Sequence, residues 1–200
     1  PAPSPCYDLF ISEMVHQPGD QALALEIYNP RSVPVDLSDY ALRFYGNGQY
    51  TYFSTLLIGV IPAGGTHVVV APNFTTDIGD YADQMAYLLF DGSEAIVLVK
   101  GNEPIDVIGK VGEFFEDDDY WFNNGVGTFY TVLVRKPTIT SGDADGTDEF
   151  LPDVEWIAYD VDDYSHLNSH DGPCASVCTP TSAIAATQLE VCPGGDLTFT

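Results

Sequence analysis

Carboxylates dominate the residues of this chain that can do chemistry. Of 200 residues, 30 are Asp or Glu and 6 are Lys or Arg, for a formal charge of −24. Hard oxygen ligands at alternate positions can wrap a calcium ion, and Asp143-Ala144-Asp145-Gly146-Thr147-Asp148-Glu149 has that spacing. The run lacks the twelve-residue register with a terminal bidentate Glu, so it is not an EF-hand, and an acidic turn is its plainer reading. A second run from Glu116 contributes Asp117 and Asp119, with Asp160, Asp162 and Asp163 as further oxygens. Charge runs of this kind usually face water. The expected metal ligands are therefore Asp143, Asp145, Asp148, Asp117 and Asp119, with calcium as the cation.

Four other charges are set differently. Glu13 in FISE, Glu26 in ALEIYN, Asp106 in IDVIG and Arg135 in VLVRK each interrupt an apolar, strand-like run. Burying a charge without a partner is penalised by several kcal/mol, and a guanidinium can hold carboxylates bidentately. These four are expected to form a structural charge cluster at one end of the fold, with Arg135 touching at least one of Glu13, Glu26 and Asp106. Solvent exposure, or a cation held by the carboxylates, are the alternatives.

Catalysis is not indicated. Carboxylate pairs hydrolyse glycosides, but no pair stands out from thirty. Ser165, His166, Ser169 and His170 fall in one loop-like stretch without the strand and turn that a nucleophile needs. No catalytic residue is assigned, and the expectation is that the chain is not an enzyme.

The elements that carry these residues read as strands. Runs at 9–14, 22–29, 41–46, 50–58, 66–71, 95–100, 103–109 and 129–136 are rich in β-branched and aromatic residues, and Gly/Pro/Asn turns separate nearly all of them. Eight short strands with such breaks argue an all-β, antiparallel sandwich or barrel. Period-two alternation puts Leu23, Leu25 and Ile27 on one face and Ala24, Glu26 and Tyr28 on the other. The expected core is Leu23, Leu25, Ile27, Val68, Val70, Ile96, Leu98, Val107 and Leu133. Only 77–89 can hold a short helix.

The acidic balance argues against direct nucleic-acid binding, which needs a basic face. It suits a salty or calcium-rich medium that screens carboxylates. No apolar run approaches the length of a membrane span. The opening Pro1-Ala2-Pro3-Ser4-Pro5-Cys6 reads as a trimmed start. Tyr45, Tyr50, Tyr52 and Phe53, beside Gly46-Asn47-Gly48, can form a protein- or carbohydrate-binding rim, although alternation must bury part of them.

The ordered series FISE, ALEIYNP, VDLSDYALR, IPAGGTHVVVA, FDGSEAIVLVK, IDVIG, VLVRK and VEW resembles the lamin tail domain of bacterial secreted proteins. That resemblance covers about residues 7–171 and implies an immunoglobulin-like antiparallel β-sandwich with no established catalytic residues. The stretch 174–200 looks like the first strands of a further immunoglobulin-like repeat. The function implied is a non-catalytic interaction or adhesion module of a larger secreted or cell-surface protein, with protein or carbohydrate partners. The alternative is a calcium-dependent accessory domain of an extracellular hydrolase such as a nuclease or phosphatase.

Four cysteines, Cys6, Cys174, Cys178 and Cys192, flank the strand-rich middle, as disulfides of an oxidising compartment do. Three connectivities are open. Because Cys6 precedes the first family-like segment and Cys174 follows the last, the expected pairs are Cys6–Cys174, clasping the ends of the sandwich, and Cys178–Cys192, tying the tail.

Overall fold

The computed structural model describes residues 6–20, 22–116 and 119–174. Its strands are β1 (Phe10–His16), β2 (Leu23–Tyr28), β3 (Val35–Asp36), β4 (Tyr40–Tyr45), β5 (Tyr52–Leu56), β6 (Val60–Ile61) and β7 (Thr66–Val70). They continue as β8 (Gln84–Met85), β9 (Ala95–Lys100), β10 (Glu103–Ile108), β11 (Phe122–Asn123), β12 (Val126–Gly127), β13 (Thr131–Arg135) and β14 (Trp156–Tyr159). Among the described residues there is one α-helical turn, α1, at Pro152–Glu155. A six-stranded sheet in the order β14-β13-β1-β2-β7-β8 faces a four-stranded sheet in the order β10-β9-β4-β5, and two small ribbons join β11 to β12 and β3 to β6. Every pairing is antiparallel except β7 with β8. The chain is thus an all-β, immunoglobulin-like sandwich.

Tight turns make the hairpins. Gly101, at φ +59, turns β9 into β10, a conformation that a side chain at that position would resist. Asn29, which ends β2, sends its side-chain amide to the carbonyls of Val33, Ile61 and Pro62 at 2.9, 3.1 and 2.9 Å, pinning the small β3–β6 ribbon to the end of the sheet.

All nine residues expected in the core are buried, but they divide among three layers. Leu23, Leu25, Ile27, Ile96, Leu98 and Leu133 meet between the two sheets, around Met14, Phe44 and Trp156. Val68 and Val70 face the other way, in a second cluster closed by Tyr164 and Leu167. Val107 lies on the outer face of the smaller sheet with Ala41, Val97 and Val99. The second cluster explains why β1 and β2 are buried along their whole length. Residues 160–171 cross the outer face of the large sheet as a strap, held between β14 and the clasp described below.

The stretch 77–89 holds a short helix only in its first part, and of the 3₁₀ rather than the α type. A 3₁₀ turn occupies Asp77–Tyr81, and Gln84–Met85 then runs parallel to β7. Tertiary pairing wins here: Asp83 accepts the Val68 N–H at 2.9 Å, and the Gln84 side chain is needed at the edge of the opposite sheet.

Candidate functional site

Arg135 sits at the end of β13, its side chain fully buried. Its Nη1 donates to Asp106 Oδ1 at 3.0 Å, and its Nη2 lies 3.5 Å from Glu155 Oε2. The guanidinium lies 4.4 Å from the Trp156 ring and 5.5 Å from that of Phe10. Asp106 also accepts the N–H groups of Val107 and Asp143 at 3.0 and 2.9 Å on Oδ1, and that of Ile11 at 2.7 Å on Oδ2. Burial pushes the Asp106 carboxyl up, while Arg135 and the backbone donors act against it. Four donors converge on its two oxygens, which suits the ionised form. The group bolts one sheet to the other, since β13 and β10 belong to different sheets.

Glu13 and Glu26 do not join Arg135. Arg135 pairs with Trp156 in the register of β13 and β14, and both face inward, whereas Glu13 pairs with Val134, one residue away and on the opposite face. A bulge at Ser12 between β1 and β2 brings Glu13 directly across from Glu26. The resulting row across the outer face reads Ile157, Val134, Glu13, Glu26, Val68. Two carboxyls thus lie side by side between aliphatic neighbours. Glu26 accepts the Ser12 hydroxyl at 2.7 Å and the N–H of Asn168, in the strap, at 2.6 Å. Both oxygens of Glu13 are buried without a hydrogen-bond partner. Burial, and then the charges of Glu26 and Asp163, push the Glu13 carboxyl up to about 9. Burial raises Glu26 to about 7 against the pull of its donors.

The remaining surface feature is an edge. From residue 44 to residue 76, and again from 84 to 90, there is no Asp, Glu, Lys or Arg. These stretches meet along one side of the sandwich. Leu57 donates its N–H to Tyr40 O at 3.0 Å, so strand alternation turns the backbones of Phe53 and Thr55 toward β4 and those of Ser54 and Leu56 outward. The buried Gln84 amide takes the place of a neighbouring strand there. Its Nε2 donates to Leu56 O at 2.8 Å, and its Oε1 accepts from Ile58 N at 3.1 Å. The Thr55 hydroxyl donates to Tyr87 O at 2.5 Å. With the seam closed in this way, Leu56 (72% exposed) and Tyr87 (74%) project from it, alongside exposed Tyr52, Ile58, Val60, Met85 and Leu89. Monomeric proteins seldom leave contiguous apolar patches of this kind bare.

The sequence pattern of the lamin tail domain family matches residues 2–112, more than half of the 200. The chain belongs to the lamin tail domain family. Comparison with curated proteins finds no match. Lamin tail domains are immunoglobulin-like, non-catalytic modules of the interaction type. The match spans β1 to β10. Arg135, Glu155, Trp156 and the strap over Glu13 and Glu26 come from the chain beyond it.

Around this lamin tail domain fold, the other expected site residues fall into place one by one. Asp143 accepts the N–H of Asp145 at 3.0 Å, and Asp145 accepts both the N–H and the hydroxyl of Thr147 at 3.0 and 2.6 Å, so these carboxylates close turns. Desolvation, then the charges of Asp143 and Asp145, raise the Asp148 carboxyl. Asp119 is exposed, and Asp117 lies outside the described residues. Among the described residues, no group of three or more Asp, Glu, His or Cys side chains is placed to hold a metal ion. His166 lies over Tyr159 with ring centroids 4.2 Å apart, and His170 packs on Phe10 and Tyr28. Ser169 donates to the backbone oxygen of His166, and Ser165 to Asp163. Cys6 and Cys174 are bridged, with Cα atoms 5.6 Å apart. Cys178 and Cys192 lie outside the described residues. Among the described residues, no helix is long and apolar enough to cross a membrane.

Sequence reasoning missed Glu155, the second carboxylate on Arg135, although VEW places it one residue before the buried Trp156. It also missed Gln84, for which a buried amide among exposed apolar residues leaves no pattern in sequence.

Proposed function

We propose that this lamin tail domain is a non-catalytic interaction or adhesion module of a larger secreted or cell-surface bacterial protein, and that the β5–Gln84 edge is the surface it offers. The carrying observation is the contrast between that edge and the rest of the molecule. A chain of charge −24 keeps 33 consecutive residues, 44–76, free of formal charge and exposes Leu56, Ile58, Val60, Met85, Tyr87 and Leu89 along them and the adjoining 84–90 stretch. A docking core depleted of charge and rich in aromatic and aliphatic side chains suits a protein partner. Aliphatic side chains give a sugar little to stack on, so carbohydrate is the less favoured ligand. The Cys6–Cys174 bridge supports an oxidising location.

The test is binding of the labelled chain to intact cells of the organism that carries the gene. Wild type is expected to bind, and Leu56→Lys and Tyr87→Lys to lose binding while melting at the wild-type temperature. Equal binding by all three would contradict the assignment of this edge.

A second reading, a calcium-dependent accessory domain of an extracellular hydrolase, is favoured by one observation. Desolvation first, and then the negative charges of Asp143 and Asp145, raise the Asp148 carboxyl, and a hard cation would relieve the second part. On that reading, millimolar calcium raises the melting temperature by mass action. A melt unchanged between chelator and calcium removes it.

A further inference from the structure

The outer face of the large sheet carries an unusual burial. Glu13 and Glu26 stand opposite each other across β1 and β2, in a row whose other members, Ile157, Val134 and Val68, are all aliphatic. Glu13 is 1% exposed, and neither of its oxygens has a hydrogen-bond partner. The charged groups acting on it are Glu26 from β2 and Asp163 from the strap, both negative. From β13 it meets Val134. Of the strap histidines, His166 stands 3.9 Å from Asp163, and His170 packs on Phe10 and Tyr28 near Arg135. Two adjacent buried carboxyls without a cation between them cannot both ionise at low cost, so the pair holds a proton where an exposed pair would hold none.

The strap covers the Glu13–Glu26 part of this row, and it is fastened by side-chain contacts and single backbone bonds, without a strand ladder. Its attachments are Gln17 Nε2 to Val161 O at 3.1 Å, Tyr164 Oη to Thr76 Oγ1 at 3.4 Å, the Asn168 N–H on Glu26 at 2.6 Å with a further backbone bond from Ser169, and the packing of Tyr164, Leu167, His166 and His170. Asn168 holds φ at +68 to make that last bond, a conformation that favours release when the bond is lost. The strap stays tethered at both ends, by β14 before it and by Cys174 after it. Segments with few buried contacts and no ladder open locally before the domain unfolds.

We propose that the Glu13–Glu26 pair is a proton-operated latch: with its proton, the strap 160–171 lies closed on the large sheet, and loss of that proton lifts it. The step is a deprotonation of Glu13 to solvent, with no bond made or broken other than O–H. The second negative charge in the row then draws water in beneath Asn168. Opening uncovers Tyr28, the Glu pair and the apolar face of Val15, Val68 and Val132.

The test is amide hydrogen exchange of the intact, oxidised chain across neutral to alkaline pH, corrected for the intrinsic pH dependence of exchange. In wild type, protection of peptides covering 161–170 is expected to fall by up to about tenfold per pH unit, as one-proton linkage dictates. Peptides from β4 and β9, whose exchange requires global unfolding, should stay better protected than the strap at every pH. Glu13→Gln, a neutral isostere, is expected to give a flat profile, and Glu13→Met the same should the amide variant fold poorly. Strap protection that is independent of pH in wild type overturns the proposal. So does an equal fall in Glu13→Gln, or wild-type protection at alkaline pH that calcium restores and a chelator removes, because the pair then takes a cation in place of a proton.

Discussion

Replacing Arg135 with Met isolates the bolt between the two sheets. The change removes the Asp106 contact at 3.0 Å, the Glu155 contact at 3.5 Å and the stacking on Trp156, while keeping most of the side-chain volume. Asp106 stays fully buried with three backbone N–H donors and no counter-charge. Breaking a buried pair on one side costs about 3–5 kcal/mol. The three surviving donors place this case toward the lower end of that range. For a domain of this size each kcal/mol moves the melting temperature by about 2–4 °C, so a fall of roughly 6–12 °C is expected. Asp106→Asn in the Arg135→Met background should recover part of the loss, since no uncompensated charge then remains buried. Urea unfolding of wild type, both single variants and the double variant, with the disulfide intact, completes the cycle. Wild-type stability in Arg135→Met, or strict additivity in the double variant, would refute the pairing as a structural element.

The pH dependence of global stability follows from the raised carboxyls. Glu13 moves from 4.5 in the unfolded chain to about 9 in the fold, so between those values the folded state holds a proton that the unfolded state has lost. The Glu13 contribution to stability is therefore complete below about 4.5 and declines as pH rises toward 9, by up to about 1.4 kcal/mol per pH unit for that proton. Urea midpoints that increase from mildly acid to mildly alkaline pH would contradict this sign. Gly109→Ala is expected to destabilise by about 1–3 kcal/mol. Its φ is +86, and a Cβ there would stand 2.6 Å from the Trp121 ring. Thermal melts check the magnitude, and a loss of near-ultraviolet Trp signal checks the cause.

The sheets were legible from the chain because their strands alternate cleanly and are punctuated by turn residues. Leu23, Leu25 and Ile27 face inward as period-two spacing requires. What the spacing could not show is that the opposite face is also covered. The strap residues Tyr164 and Leu167 lie in an acidic, turn-rich stretch with no periodicity of its own, and only long-range packing brings them over Val68 and Val70. The same limit separated the charge cluster. Arg135 and Asp106 are recognisable as charges inside apolar strands, but whether Glu13 shares their face depends on register, and Glu13 pairs with Val134, the neighbour of Arg135. A one-residue difference in register is a change of face. Of the aromatic rim, Tyr50, Tyr52 and Phe53 are exposed and Tyr45 is half-buried, so none of the four enters the core as alternation was expected to require. Burial of Phe44 and exposure of Tyr52 were decided by which face of β4 and β5 meets the large sheet.

The proposed working place outside the reducing cytoplasm is supported by the bridge between Cys6 and Cys174 and is tested through it. The most direct measurement is peptide mapping, under non-reducing conditions with free thiols blocked at harvest, of the protein recovered from its native cells. A linked peptide pair containing Cys6 and Cys174, whose sequence separation of 168 encloses the whole sandwich, is expected in material accessible from outside the cell. Recovery of Cys6 and Cys174 as blocked free thiols, or their linkage to other partners, would contradict it.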